Sequence, residues 1–203
     1  MLDHEQGIIV LNTFSATRPL GFTLIEMLIV VAIIAIATTL GIPSYRAWVQ
    51  NTQIYNAADS VQNGLQKAQA VAVKQNTNIE FVLGTNPPWK IQIPGNAVAC
   101  PNVDNTNLLE CSTSEGSKNV TTTGLAADGL TAAAIITFSN LGGVVANAPV
   151  AGVVPPSLAR IDFNSAVLAG SRNLRVTIGI NGVGSNIKMC DPNMPTGSSP
   201  RAC

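Results

Sequence analysis

The sequence predicts an α+β protein in which one long N-terminal helix packs on an antiparallel β-sheet domain. Three observations carry this expectation. An apolar run extends from Phe22 to Ile42, apolar residues recur at helical spacing from Tyr45 to Ala72, and short strand-like segments separated by Gly, Asn, Thr and Pro follow Gln75.

The first run, FTLIEMLIVVAIIAIATTLGI, contains a single charge, Glu26. At 1.5 Å per residue it covers about 30 Å, the hydrocarbon thickness of a bilayer. A helix apolar on every side needs a large core or lipid around it, and a chain of 203 residues has little room for such a core. The run is therefore read as membrane-spanning. Gly41 and Pro43 come at its end. Proline removes one helical hydrogen bond and crowds the preceding turn, so a bend or local melting is expected there, with the helix continuing beyond. Continuation rests on Tyr45, Trp48, Thr52, Tyr55, Ala58, Val61, Leu65, Ala68 and Ala72, which are expected to form one stripe covered by a sheet.

Beyond the helix, strands are expected at 78–83, 89–93, 134–138, 159–163, 174–180 and 186–189. The stretches 94–130 and 139–157 read as loops or irregular edges, and Gly182-Val183-Gly184 as a hairpin turn. Three segments result: a leader over 1–21, a membrane or fibre-core helix over 22–43, and a globular domain over 44–203 that includes the second half of the helix.

Composition excludes several functions. Hydrophobic residues make up 46% of the chain, charged residues 11%, and the net charge is zero, so no global field favours nucleic acid. The C-terminal quarter is mildly basic, with Arg160, Arg172, Arg175, Lys188 and Arg201 against Asp162 and Asp191. The one histidine, His4, lies in the expected leader, which leaves no histidine base, triad or cysteine–histidine pair for catalysis in the remainder. No enzymatic activity, cofactor or metal is expected. The four cysteines allow three connectivities; local disulfides, Cys100 with Cys111 and Cys190 with Cys203, are expected if the domain lies in an oxidising compartment, with free thiols as the alternative.

Gly21-Phe22-Thr23-Leu24-Ile25-Glu26, joined to the unbroken apolar helix, resembles the processing motif of the type IV pilin superfamily. The stretches from Gly64 to Asn76, from Ile136 to Gly143 and from Met189 to Cys203 resemble the GspH/FimT group of minor pilins and pseudopilins, FimU-like members included. An ordinary secretory signal would instead place its cleavage site after the apolar run, near the small residues from Ala37 to Gly41. The resemblance implies a pilin fold, cleavage by a prepilin peptidase between Gly21 and Phe22, methylation of the Phe22 amine, and retention of the apolar helix. It further implies that Glu26 pairs with a Phe22 amine during assembly. The bland reading of Glu26 is a carboxylate snorkelling to headgroups and favoured by the helix dipole. The implied partners are other major and minor pilins. The implied location is the inner membrane of a Gram-negative bacterium, spanned once, and then a pilus at the cell surface. The implied role is assembly or initiation of that pilus. A pseudopilin of a type II secretion system has the same anchor. DNA-binding relatives carry a C-terminal glycine-arginine-x-arginine motif, which the stretch from Gly182 to Lys188 lacks; Arg172, Arg175, Lys188 and Arg201 are the residues that could substitute for it, and the plainer reading of them is scattered, solvated side chains.

Overall fold

Helix α1 (Leu24–Gln75) begins where its capping chemistry begins. Thr23 stands one residue ahead, and its Oγ1 accepts the backbone N–H of Glu26 at 3.3 Å, the bond that an N-cap threonine makes to the third helical residue. In this computed structural model the described residues are 21–84, 88–95, 100, 107–113, 117–179, 185–197 and 199–203, with backbone alone at Leu40. The helical assignment runs unbroken through Gly41 and Pro43, so the local melting expected there does not occur. The other end is a Schellman cap. Asn76 takes a left-handed φ of 52°, its N–H reaches the Val73 carbonyl at 3.3 Å, and the Thr77 N–H reaches the Ala72 carbonyl at 3.2 Å.

The chain divides into two units after Ile42. In the first, the described side chains from Gly21 to Ile42 are all exposed, apolar ones included. In the second, the rest of α1 covers two antiparallel sheets. One has the order β3 (Leu108–Cys111), β2 (Trp89–Gln92), β1 (Ile79–Leu83), β5 (Ile135–Phe138), β6 (Val144–Val145). The other has the order β4 (Val120–Leu125), β7 (Arg160–Ser165), β8 (Leu174–Ile178), β9 (Ile187–Cys190). Three of these strands, β3, β4 and β6, occupy stretches read from sequence as loops or irregular edges, and each is an edge strand. The single expected sheet is two.

The core joins Ile54, Ala57, Ala58, Val61, Leu65, Ala68 and Ala72 of α1 to Phe81, Ile91, Ile136, Phe138, Ile161, Phe163 and Val176 of the sheets. This corrects half of the predicted stripe. Ala58, Val61, Leu65, Ala68 and Ala72 are buried, whereas Tyr45, Trp48, Thr52 and Tyr55 are exposed. Steps of three residues fall about 60° short of a full turn, so a stripe followed backwards by threes drifts around the helix. The buried line follows steps of four instead, from Ala58 to Ile54 to Gln50, whose Nε2 donates to the Asn119 carbonyl at 2.9 Å. Gly64 lets the indole of Trp89 lie against the helix. A Cβ there would come within 2.7 Å of the ring, which also stacks on Phe81 and donates through Nε1 to Ser60 Oγ at 3.0 Å.

Candidate functional site

The N-terminal segment brings its predicted residues together because they are contiguous. Gly21 and Phe22 precede the helix and are exposed, Thr23 caps it, and Glu26 lies in the first turn. Sequence reading had passed over one signal here. Thr23-Leu24-Ile25-Glu26 has the threonine-x-x-glutamate spacing of a capping box, and the threonine half of it, Oγ1 accepting the Glu26 N–H, is formed. A carboxylate in the first turn is also favoured by the helix dipole. The rest of the leader, residues 1–20 with His4, lies outside the described residues, as do Gly182-Val183-Gly184. By length and composition, α1 is able to cross a membrane.

The C-terminal cations do not form a free cluster. Arg172 donates through Nε to Asp191 Oδ2 at 2.8 Å, and Asp191 is buried and also accepts the Asn193 N–H at 2.9 Å. Arg175 donates through Nε to Asp162 Oδ1 at 2.6 Å, and Arg160 grips the same carboxylate through Nε and Nη2. Burial alone would raise the Asp162 pKa; hydrogen bonds from Arg160 and Arg175, with their charges, outweigh it and hold the carboxyl below its usual range. Lys188 Nζ donates to the Ala202 carbonyl at 3.2 Å. Of the four candidate contacts, Arg172 and Arg201 line one groove of about 550 Å³ beside Trp48, Tyr55 and Asp59, while Arg175 is committed to Asp162.

Disulfides join Cys100 to Cys111 and Cys190 to Cys203. The second holds the C-terminus against β9, where Asp191 and Ala202 form an isolated bridge and the Asp191 N–H donates to the Arg201 carbonyl at 2.7 Å. Among the described residues, no group of three or more His, Cys, Asp or Glu side chains is placed to hold a metal ion.

Residues 18–42 match the family described as the prokaryotic N-terminal methylation motif. Two crystal structures of the type IV minor pilin FimU from Pseudomonas aeruginosa are similar to this chain at 15% identity. One covers 77% of this chain and 98% of its own with a TM-score of 0.42, the other 73% and 98% with a TM-score of 0.39.

Proposed function

We infer that the chain is a minor subunit of the type IV pilin superfamily, a structural rather than catalytic protein that enters a fibre through its N-terminal helix. The observation that carries this reading is the methylation motif over 18–42 on a helix whose described apolar side chains are exposed through Ile42 and whose later turns are packed in a domain. Such a helix needs a bilayer before assembly and neighbouring helices after it. The prepilin peptidase cuts between Gly21 and Phe22, the new amine is methylated, and the subunit waits in the inner membrane with its domain outside the cytoplasm. Glu26 then acts as a register mark. A carboxylate among apolar helices costs several kcal/mol unless a cation meets it, so the Phe22 amine of a neighbouring subunit favours one axial offset. Assembly or initiation of a type IV pilus is the role this arrangement fits.

DNA uptake is disfavoured by the geometry of the cations. Arg172 and Arg175 are already engaged by carboxylates, which leaves few charges to release counterions from phosphates.

Mass spectrometry of the membrane-extracted protein tests the anchor: methylated Phe22 is expected as the first residue, and an N-terminus after Thr39 or Gly41 refutes it. Glu26→Ala tests the register mark. The variant is expected to insert in the membrane as well as the parent and to be lost from sheared fibres. Pull-down of the detergent-solubilised mature chain then separates pilus partners from those of a secretion system.

A further inference from the structure

We propose that the globular domain has a second, lipid-facing contact at its helix-entry end: Tyr45, Arg46 and Trp48 of α1, with Val167 and Leu168 of the β7–β8 loop, rest on the phospholipid surface before assembly. The proposal rests on the reading of 22–42 as a membrane span.

All of these residues but Trp48 meet in one place; Trp48 lines the neighbouring groove and reaches this end through its ring contact with Tyr45. Tyr45, Arg46, Val49, Gln50, Asn119, Val167 and Leu168 line a single depression of about 320 Å³. Two bonds hold the loop against this end of the helix: the Arg172 N–H donates to Asn51 Oδ1 at 3.0 Å, and the Ala166 N–H donates to the Asn119 carbonyl at 2.8 Å, the oxygen that Gln50 also engages. The surface there is apolar and open. Tyr45 and Trp48 are each 65% exposed with ring centroids 6.2 Å apart, and Val167 is 66% exposed.

Three arguments name lipid as the occupant. The first is distance. Tyr45 follows Ile42 by three residues, at most about 10 Å of chain, which keeps it close to the headgroup layer, about 5–8 Å thick on each side of the hydrocarbon. Trp48 is one turn further, but helical side chains lean toward the N-terminus, which returns its ring toward that layer. The second is chemistry, because Trp and Tyr, each with an apolar body and a polar tip, favour the membrane–water interface. The third is charge. Arg46 lines the depression, Lys118 adjoins it next to Asn119 in sequence, both are exposed, and the residues lining it include no carboxylate. Anionic headgroups are the complement of that pattern. The contact belongs to the waiting subunit and must be given up on entry into the fibre.

The test uses the mature full chain in vesicles of phosphatidylethanolamine and phosphatidylglycerol, with plain or 6,7-dibrominated acyl chains. Flotation reports the span. Tryptophan emission reports the domain, since Trp89 is buried in the core and Trp48→Phe isolates its constant signal. Trp48, and Val167→Trp in a Trp48→Phe background, should each lose about half of their emission in brominated vesicles. Leu130→Trp in the same background should keep its emission, because Leu130 lies beyond the far end of β4, about 17 Å of strand from Asn119. Should Val167→Trp not fold, the Trp48 signal of the parent decides alone. A chain that floats while positions 48 and 167 remain unquenched overturns the proposal and leaves the span standing; protection of those positions only in assembled fibres would assign the surface to neighbouring subunits. A chain that does not float overturns the span and the proposal together.

Discussion

The two halves of α1 belong to one continuous helix and are opposite in surroundings. Over 24–42 the described apolar side chains are exposed, whereas Ile54, Ala58, Val61, Leu65, Ala68 and Ala72 are fully buried. The second half is covered by its own chain, whereas no described residue covers the first. Composition shows the same contrast. Where neighbours are lipid or other helices, bulky Ile, Leu and Val occur on all sides; where a sheet must lie close, alanine and Gly64 recur on the buried line.

The sharpest way to break this comparison is truncation on each side of it. Leu65→Ala should cost about 2–5 kcal/mol in denaturation of the mature chain in detergent, through lost burial plus a cavity. Ile36→Ala should leave that transition unmoved. A comparable loss from Ile36→Ala would show that the domain itself covers the first half.

Next in size is the Cys190–Cys203 link, which closes a loop with a sequence separation of 13. Replacing both cysteines with serine should cost about 3 kcal/mol by chain entropy, read as a lower denaturant midpoint, with unchanged flotation of the membrane half. An unchanged midpoint would mean that the tail is held without its disulfide.

A smaller effect, about 1–2 kcal/mol after allowing for solvent on one side, is expected for Asp162→Asn. The folded pKa of Asp162 lies below its ordinary value of 3.8, so the carboxylate contributes fully above that value and loses its contribution as pH falls through the folded pKa. The stability gap between parent and variant should be flat from about pH 5 to 8 and close below about pH 4. A gap that persists in acid would assign the effect to packing.

The least, about 1 kcal/mol, is expected from Asn76→Ala, which places a Cβ-bearing residue without a polar side chain at a left-handed φ and removes the acceptor of the Asn140 amide. Thermal melts should register it as a small drop, and no drop would mean the helix end relaxes freely.

Much of the fold was legible because periodicity is a property of sequence. The helix and six of the strands announced themselves through period and flanking turn residues. The three missed strands had no such signal. β4 reads VTTTGL, β6 is two residues long, and β3 reaches its register through a bulge opposite Ile91 and Gln92. Edge strands bury one side partially, so their alternation is weak. The tyrosines, Trp48 and Thr52 were placed in the core because spacing alone cannot say which of two opposite stripes meets the sheet. Whether the C-terminal cations converge was open in the sequence for a related reason: Asp162 and Asp191 are visible there as charges, but pairing across β7 and β8, or from a loop to β9, is a tertiary fact. The N-cap at Thr23 was readable and overlooked.

Both disulfides end on edge strands. β3 finishes at Cys111 and β9 at Cys190, and these strands border their respective sheets. An open edge is a template on which another chain can add a strand, and subunits crowded in a membrane would meet that hazard constantly. Edges of four residues or fewer at β3, β6 and β9, two of them tied down by covalent links, offer a poor template, which leaves the six-residue β4 as the longest edge.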